Sequence, residues 1–289
     1  MEINPNEIGD CEVDCSDKSH YLIVTRHGER ADKKDKDNCL SFYDTNLTLK
    51  GEKESKETGE NLVDSLDSLG LLDTLETVEI ITSPFFRCLQ TSRNLISGIH
   101  DALVRKGHEE LAKIFLDRNI HIEEAFAERV RGRPSKHYDE IFLNLNKNLL
   151  EEDFSELKFV KNTLFDYEKD NGLVKASRKF KYKRDIFDCC FGIFWDLTQK
   201  IVKKKAERTL TIVVSHGMFI ELFSIFLKLE PKMKPIDYNA TTLIKVKGIK
   251  KIEEKGYKRT CFNMIDLFDV IFDCVFENEG KASTQDANE

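Results

Sequence analysis

Short apolar runs that are rich in β-branched residues are spaced along the chain. Four of them, at 20–26, 77–82, 120–126 and 209–215, predict β-strands. The first run, HYLIVTR, has a continuous apolar centre from Tyr21 to Val24, which is typical of a strand that is covered on both faces in a parallel sheet. We therefore expect at least this strand to lie at the centre of the protein.

Longer segments with helical periodicity separate these runs. The predicted helices lie at 49–69, 85–104, 185–205 and 218–229. In the first of them, Leu62, Val63, Leu66 and Leu69 gather on one face of an otherwise charged segment, which predicts an amphipathic helix. The aromatic and aliphatic positions of 185–205 favour packing on the sheet.

The alternation of strands and helices predicts the fold class. It is typical of an α/β three-layer sandwich, in which helices flank a mainly parallel central sheet. Segments 241–252 and 257–265 predict a closing pair of strands. Residues 127–185 are polar and irregular, and end in a basic run at 175–184, so we expect an inserted cap beside the sheet.

The length of 289 residues fits one domain. We place this domain at 19–276, with the cap at about 127–185. It follows an acidic N-terminal arm, 1–18. The last segment, 277–289, is polar and has no apolar anchor, so we expect it to be disordered.

The charge of the chain limits its partners. The formal net charge of −7 argues against a general nucleic-acid binder, which needs an excess of Lys and Arg. The sequence predicts neither a signal peptide nor a membrane span, so we expect a cytoplasmic protein, with the nucleus as the alternative. Cys11 and Cys15 lack a second ligand pair with zinc spacing, so we expect no metal and no other cofactor.

The stretch Arg26-His27-Gly28-Glu29-Arg30 carries the first chemical signal. It follows a predicted buried strand, so it lies at the carboxyl edge where α/β sheets bind ligands. Two arginines beside one histidine offer planar donors for a phosphate group. Their field also favours the neutral imidazole, which is the nucleophilic form.

A second histidine ends another predicted strand. In VVSHG, His216 and Gly217 follow an apolar run as His27 and Gly28 do. A helix that begins near Met218 points its free backbone N–H groups towards an anion. Two such strand ends in one sheet predict one shared site.

These motifs together resemble a known family. RHGER, the LT-x-x-G of 47–51, SPFFRCLQTS of 83–92 and VSHG occur in the order seen in the phosphoglycerate-mutase-like histidine phosphatase superfamily. The resemblance spans about residues 20–250. It implies that His27 is phosphorylated transiently and that Arg26, Arg30 and Arg87 hold the phosphate. It also implies that His216 is a catalytic residue that completes the phosphate-binding pocket and stabilises the transferring group. The alternative for Arg87 alone is an exposed helix residue.

Three carboxylates compete for the role of general acid, which protonates the leaving oxygen. They are Glu123, Glu124 and Glu128. In the family the acid lies two positions after a large apolar residue, and Phe126-Ala127-Glu128 fits that pattern. We prefer Glu128. The alternative for Glu123 and Glu124 is that they are solvated charges at the end of a strand.

The residues after the first motif bear on the substrate. Phosphoglycerate mutases follow RHGE with a Trp-Asn-like pair, whereas this chain continues as RHGERAD. Arg30 followed by Asp32 resembles the branch with the TULA proteins, which dephosphorylate tyrosines, and with the phosphatase-like subunit of yeast transcription factor IIIC. The resemblance implies a phosphatase rather than a mutase, acting on phosphorylated protein or small-molecule substrates.

Two rivals to a protein phosphatase stay open. One is a catalytically inactive scaffold, because a fold does not by itself guarantee activity. The other is a phosphatase of sugar, nucleotide or inositol phosphates, in which the chemistry is unchanged. A homodimer or a larger assembly is also open.

Overall fold

The computed structural model of the protein describes most of the expected sheet and its first helices. The described residues are 19–39, 44–128, 157–161, 193, 197, 201, 208–226, 237–246 and 268–274. The arm 1–18 with Cys11 and Cys15, the tail 277–289, the basic run 175–184 and the strand expected at 257–265 lie outside them. No helix within the described ranges has both the length and the apolar character needed to cross a membrane.

A seven-stranded sheet forms the centre of the described structure. Its strands are β1 Ser19–Arg26, β2 Thr77–Thr82, β3 Asn119–Ile122, β4 Lys158–Lys161, β5 Arg208–Ser215, β6 Thr241–Val246 and β7 Phe268–Cys274. Their order across the sheet is β4-β3-β2-β5-β1-β6-β7. Neighbours from β4 to β1 run parallel, and β6 and β7 add an antiparallel edge.

The sheet is covered on both faces. Leu22, Ile23 and Val24 follow one another in β1 and are all 0% exposed. Because successive side chains of a strand point to opposite faces, both faces of β1 are shielded from solvent at these three residues. The mainly parallel sheet with helices around it confirms the predicted α/β class.

Five helices with described bounds accompany the sheet. They are α1 Ala31–Lys34, α2 Leu49–Ser68, α3 Phe86–Arg105, α4 Glu109–Asp117 and α5 Gly217–Phe226. The α2 helix begins where Thr48 accepts a hydrogen bond from Gly51 N, which satisfies one of the free N–H groups of the first turn. Its apolar face was predicted correctly for Leu62, Val63 and Leu66, but Leu69 lies past its end and is 40% exposed.

Two glycines let α2 and α3 touch through their backbones. A Cβ atom on Gly59 would lie 2.1 Å from Leu95 O, and one on Gly98 would lie 2.0 Å from Lys56 O. Any side chain at either position would separate the helices. Since α3 carries several residues of the candidate site, this contact also sets the position of that site relative to α2.

The third predicted strand is shorter than expected. We predicted a strand over 120–126, but β3 ends at Ile122 and a 3₁₀ turn spans Glu124–Phe126. Glu123 ends the strand because its carboxylate accepts a hydrogen bond from Ala125 N, which bends the chain. This bend carries Glu128 towards the edge of the sheet where β1 ends.

Two strands of the sheet were not predicted. Residues 158–161 fall within the expected cap but form the edge strand β4, paired with β3. The strand that pairs with β6 is β7, a few residues beyond the expected 257–265. Ile193, Leu197 and Ile201, the described residues of the predicted helix 185–205, are helical and buried.

Candidate active site

The two histidine motifs meet at the carboxyl edge of the sheet. Strands β1 and β5 are neighbours, and Arg26 pairs with Ser215 in register, so His27 and His216 are the next residues on each strand. His27 N donates a hydrogen bond to Ser215 O at 3.0 Å. The imidazole rings have centroids 5.3 Å apart and an interplanar angle of 64°. The structure therefore brings these two predicted site residues together.

The ring of His27 is oriented by its own backbone neighbour. Nδ1 lies 2.8 Å from Gly28 O. Because a carbonyl oxygen only accepts, Nδ1 carries the hydrogen in a neutral ring and the lone pair is on Nε2. Burial of this side chain lowers the pKa of His27 well below its ordinary value, and the charges of Arg87 and Arg26 lower it further. The ring is thus a neutral imidazole with its nucleophilic nitrogen on Nε2.

The loop that carries His27 is clamped between α2 and α3. Gly28 N donates to Thr91 Oγ1 at 3.0 Å, and that hydroxyl in turn donates to Arg87 O at 2.7 Å. A Cβ atom on Gly28 would lie 2.7 Å from Ser55 Oγ and 2.8 Å from Gly51 O. Only glycine lets the loop approach α2 this closely, so the position of His27 depends on it.

His216 has a partner at each ring nitrogen. Arg87 Nη2 lies 3.2 Å from Nδ1, and since an arginine only donates, Nδ1 is the acceptor. Nε2 then carries the hydrogen and donates to Ser83 Oγ at 2.8 Å. Burial lowers the pKa of His216 well below its ordinary value, and the charge of Arg87 adds to this effect. His216 is therefore a second neutral imidazole beside the first.

Arg87 is the buried cation of the site. Its side chain is 0% exposed, which excludes the alternative that it is an exposed helix residue. Nη2 donates to both Glu128 Oε2 and His216 Nδ1. Nε and Nη1 are buried and have no hydrogen-bond partner within the described structure. A buried guanidinium with two donor nitrogens unpaired favours a bound anion, because leaving such donors without a partner is costly.

The other two predicted arginines differ in their surroundings. Arg26 is half-buried, and its Cζ atom lies 4.3 Å from the ring centroid of Tyr238. Arg30 makes a bidentate contact with Asp32, through Nε at 2.9 Å and Nη2 at 2.8 Å. Arg30 Nη1 lies 4.0 Å from Glu128 Oε2, which places Arg30 at the rim of the site. All three arginines are close enough to His27 for their charges to act on it. Two of the three guanidinium nitrogens of Arg30, however, already donate to Asp32.

The three candidate acids lie in different environments. Glu128 is 31% exposed and contacts Arg87. Glu123 is 0% exposed and accepts a hydrogen bond from Ala125 N at 3.1 Å, so the alternative of a solvated strand-end charge is wrong for it. Glu124 lies in the 3₁₀ turn and is half-buried. Glu128 therefore lies next to two arginines of the site, Arg87 and, at 4.0 Å, Arg30.

Several residues around the histidines were not identified from the sequence. Ser83 lies inside the motif SPFFRCLQTS, so the resemblance contained a signal for it, and the same holds for Thr91. Tyr238 belongs to no motif. Its ring is 5.8 Å from that of His27 only because the turn before β6 folds back onto β1. A local pattern contains no signal for such a contact.

The site contains a cysteine that is unsuited to nucleophilic attack. Cys88 Sγ lies 3.7 Å from His216 Nε2. Burial raises the pKa of this thiol to about 12, so it stays protonated at neutral pH. Within the described ranges, no group of three His, Cys, Asp or Glu side chains is arranged to hold a metal ion.

Comparisons with known proteins bear on the fold. No protein-family model and no curated protein matches the chain. Among solved structures, a phosphoglycerate mutase from Bacillus anthracis is similar with a TM-score of 0.45 and 17% identity, over 82% of this chain and 92% of that one. A phosphoserine phosphatase from Entamoeba histolytica has a TM-score of 0.39 and 16% identity, over 78% and 90%.

A mycobacterial glucosyl-3-phosphoglycerate phosphatase is a third structural neighbour, with a TM-score of 0.39 and 14% identity, over 79% of this chain and 91% of that one. These three neighbours are thus a phosphoglycerate mutase and two phosphatases. The likeness concerns the fold alone. The function has to be inferred from the residues of the site.

Proposed function

We propose that the protein is a histidine phosphatase that hydrolyses phosphate monoesters through a phosphohistidine on His27. One observation carries the proposal. Two buried imidazoles lie with ring centroids 5.3 Å apart, next to a fully buried arginine whose Nε and Nη1 have no partner in the described structure. This arrangement combines a nucleophile with a place for an anion.

In the first step, the phosphate of a monoester occupies the space between the histidines and the arginines. His27 Nε2 attacks phosphorus while the bond from phosphorus to the ester oxygen breaks. Nδ1 keeps its hydrogen and its bond to Gly28 O, so the positive charge that forms on the ring is stabilised by that carbonyl. The low pKa of His27 ensures that Nε2 is not already protonated when the substrate arrives.

The leaving oxygen needs a proton, for which Glu128 is our candidate donor. Its carboxyl group is at the rim of the site, partly exposed and next to Arg87 and Arg30. In the protonated form it transfers its proton to the departing oxygen, and the alcohol or phenol leaves. The resulting carboxylate then takes a proton from water, which attacks phosphorus and breaks the bond to His27 Nε2. Inorganic phosphate and the starting enzyme result.

Positive charge in the site stabilises the transferring group. Arg26, Arg30 and Arg87 supply three guanidinium groups for the negative oxygens. His216 completes the pocket as a neutral ring beside Arg87, from which its Nδ1 accepts a hydrogen bond. These side chains provide the charge that other phosphoryl-transfer enzymes take from metal ions. The proposal therefore includes no metal.

The finer proposal concerns the substrate. Arg30 and Asp32, the residues through which RHGERAD resembles the branch with the tyrosine-dephosphorylating TULA proteins, form a bidentate pair at the rim of the site. We therefore propose phosphotyrosine-containing proteins as substrates. Small phosphate esters and an inactive scaffold are the rival outcomes of the test below.

Hydrolysis of p-nitrophenyl phosphate in the presence of EDTA tests the proposal. The wild-type protein is expected to turn over and the His27→Ala variant is not. His20→Ala is the matched control, because His20 is 3% exposed on the same strand but lies roughly 23 Å away at its other end. Activity of the wild type and of His20→Ala alone supports the phosphohistidine route, whereas no activity in any protein favours the scaffold.

A screen of substrates follows if turnover is found. Phosphotyrosine peptides are compared with sugar, nucleotide and inositol phosphates through kcat/KM. A preference for the peptides supports the finer proposal. A higher kcat/KM for one of the small esters overturns it and leaves the histidine chemistry in place.

A further inference from the structure

The turn before β6 places an aromatic side chain beside the candidate nucleophile. The ring of Tyr238 is tilted by 46° against that of His27, with centroids 5.8 Å apart. The same ring lies under the guanidinium of Arg26, whose Cζ atom is 4.3 Å from its centroid. The steps proposed above assign no role to Tyr238.

The backbone of this turn is fixed to the strand end that carries the site. Arg26 N donates to Ala240 O at 2.9 Å, and Asn239 N donates to His27 O at 3.4 Å. Asn239 adopts a left-handed conformation, with φ of 60°, and its Oδ1 accepts from Ser55 Oγ at 3.0 Å. The position of Tyr238 beside Arg26 is therefore set by hydrogen bonds of the two residues that follow it in the turn, and not by its own ring.

Arg26 is restricted from a second direction by the start of α5. A Cβ atom on Gly217 would lie 3.1 Å from Arg26 Nε and 3.3 Å from its Cζ, so the guanidinium passes close to this backbone. An arginine stacked on an aromatic ring gains a cation–π contact and loses little freedom when it binds an anion. Together, Tyr238 and Gly217 leave Arg26 few orientations.

We propose that Tyr238 is a positioning residue that holds the guanidinium of Arg26 ready to bind the phosphate group beside His27. The proposal rests on the proposed function, because it takes Arg26 as a phosphate ligand. Tyr238 acts through Arg26 and forms no bond to the reacting atoms. Its ring rather than its hydroxyl carries the effect.

Affinity for inorganic phosphate, measured by calorimetry, tests this role without requiring turnover. Tyr238→Leu removes the ring and is expected to weaken phosphate binding by about 3- to 30-fold, the range of a single cation–π contact. Tyr238→Phe keeps the ring and is expected to bind phosphate within about twofold of the wild type. Tyr238→Met, which has no aromatic face, repeats the test if the leucine variant does not fold. For p-nitrophenyl phosphate, the leucine variant should raise KM more than it lowers kcat.

An Arg26→Ala background separates positioning from general structural support. If Tyr238 acts through Arg26, Tyr238→Leu has no further effect on phosphate affinity once Arg26 is removed. An equal loss in both backgrounds overturns the proposal, as does a leucine variant that binds phosphate like the wild type. If the wild type binds phosphate without turnover, the proposed function fails while this test still gives its answer. If the wild type binds no phosphate, the proposal for Tyr238 fails, while turnover of p-nitrophenyl phosphate still decides the proposed function.

Discussion

His27 and His216 face each other because Arg26 and Ser215 are paired in register across β1 and β5. The two histidines are 189 positions apart in the chain, yet each is the first residue after its strand. A shift of this pairing by one residue would separate the rings and reverse the side-chain faces of the strand. The site thus depends on the same register that forms the core.

Acid is expected to destabilise the protein through these two histidines. The pKa of each is far below its ordinary value in the folded state, mainly because of burial, so the unfolded chain binds more protons below about pH 6.5. The free energy of unfolding should therefore fall as the pH decreases through that value, by up to about 1.4 kcal/mol per pH unit for each histidine. Above about pH 8 neither histidine contributes to the pH dependence.

Denaturant titrations between pH 5 and pH 8 measure the free energy of unfolding as a function of pH. The limiting slope for one histidine is about 1.4 kcal/mol per pH unit. The His216→Asn variant should show a shallower slope than the wild type below pH 6.5. His108→Asn is the control, since His108 is only partly buried and lies next to Asp73. Equal slopes in the wild type and in His216→Asn would show that His216 is not held neutral by the fold.

Removal of the proposed acid should depend on the leaving group. Glu128→Gln cannot donate a proton, so kcat/KM for phenyl phosphate should fall by about 10²–10⁴-fold, the usual contribution of general acid catalysis. For p-nitrophenyl phosphate, whose phenolate leaves without a proton, the loss in kcat/KM should be much smaller. The measurement is the ratio of kcat/KM for phenyl phosphate to kcat/KM for p-nitrophenyl phosphate, determined for the variant and for the wild type.

The same pair of substrates decides between the candidate acids. Glu123→Gln and Glu124→Gln are expected to leave the ratio unchanged. The carboxylate of Glu123 accepts the hydrogen bond from Ala125 N, whereas Glu128 is the carboxylate that contacts Arg87 at the rim of the site. A leaving-group effect in Glu123→Gln that is absent in Glu128→Gln would move the role of the acid to the buried carboxylate. Equal losses on both substrates for Glu128→Gln would point to phosphate binding instead of proton transfer.

A methyl group at Gly28 should cost both stability and activity. It would meet Ser55 Oγ at 2.7 Å and Gly51 O at 2.8 Å, so the loop with His27 has to move. We expect Gly28→Ala to lower the free energy of unfolding by about 1–3 kcal/mol, as overpacking does elsewhere. Because the carbonyl that orients His27 belongs to Gly28, kcat should fall as well.

Gly70→Ala provides the control for this substitution. Gly70 lies in the turn after α2 with φ of 64°, so a side chain there strains the backbone, although no atom lies within 4 Å of its Cβ position. The substitution should lower stability while the folded protein keeps its kcat. If Gly28→Ala keeps wild-type kcat in its folded fraction, the position of the loop is less important for catalysis than the geometry indicates.

The strand ends with their histidines could be predicted from the sequence for a physical reason. Buried parallel strands have a continuous apolar centre, so His27 and His216 are recognisable as histidines that follow such runs directly before a glycine. The signal for the start of α2 is also local, since Thr48 caps the helix by accepting a hydrogen bond from Gly51 N, three residues later. Features set by neighbouring residues in the chain are the ones that the sequence predicts well.

Other parts of the structure depend on contacts between distant segments. The apolar positions of 120–126 resemble a strand, but the carboxylate of Glu123 turns the chain after Ile122. Strand β4 is short and polar at both ends, and pairs only because β3 offers its edge. Tyr238 reaches Arg26 because a turn is hydrogen-bonded to β1. None of these features follows from a local pattern of hydrophobic residues.

Direct detection of a phosphohistidine tests the central claim about His27. The protein is mixed rapidly with p-nitrophenyl phosphate, quenched in alkali where phosphohistidine survives, digested and analysed by mass spectrometry. We expect a phosphoryl group on His27 in the wild type, an accumulation of it in Glu128→Gln, and its absence in His27→Ala. Turnover of substrate by the wild type with no phosphoryl group on His27 would contradict the mechanism.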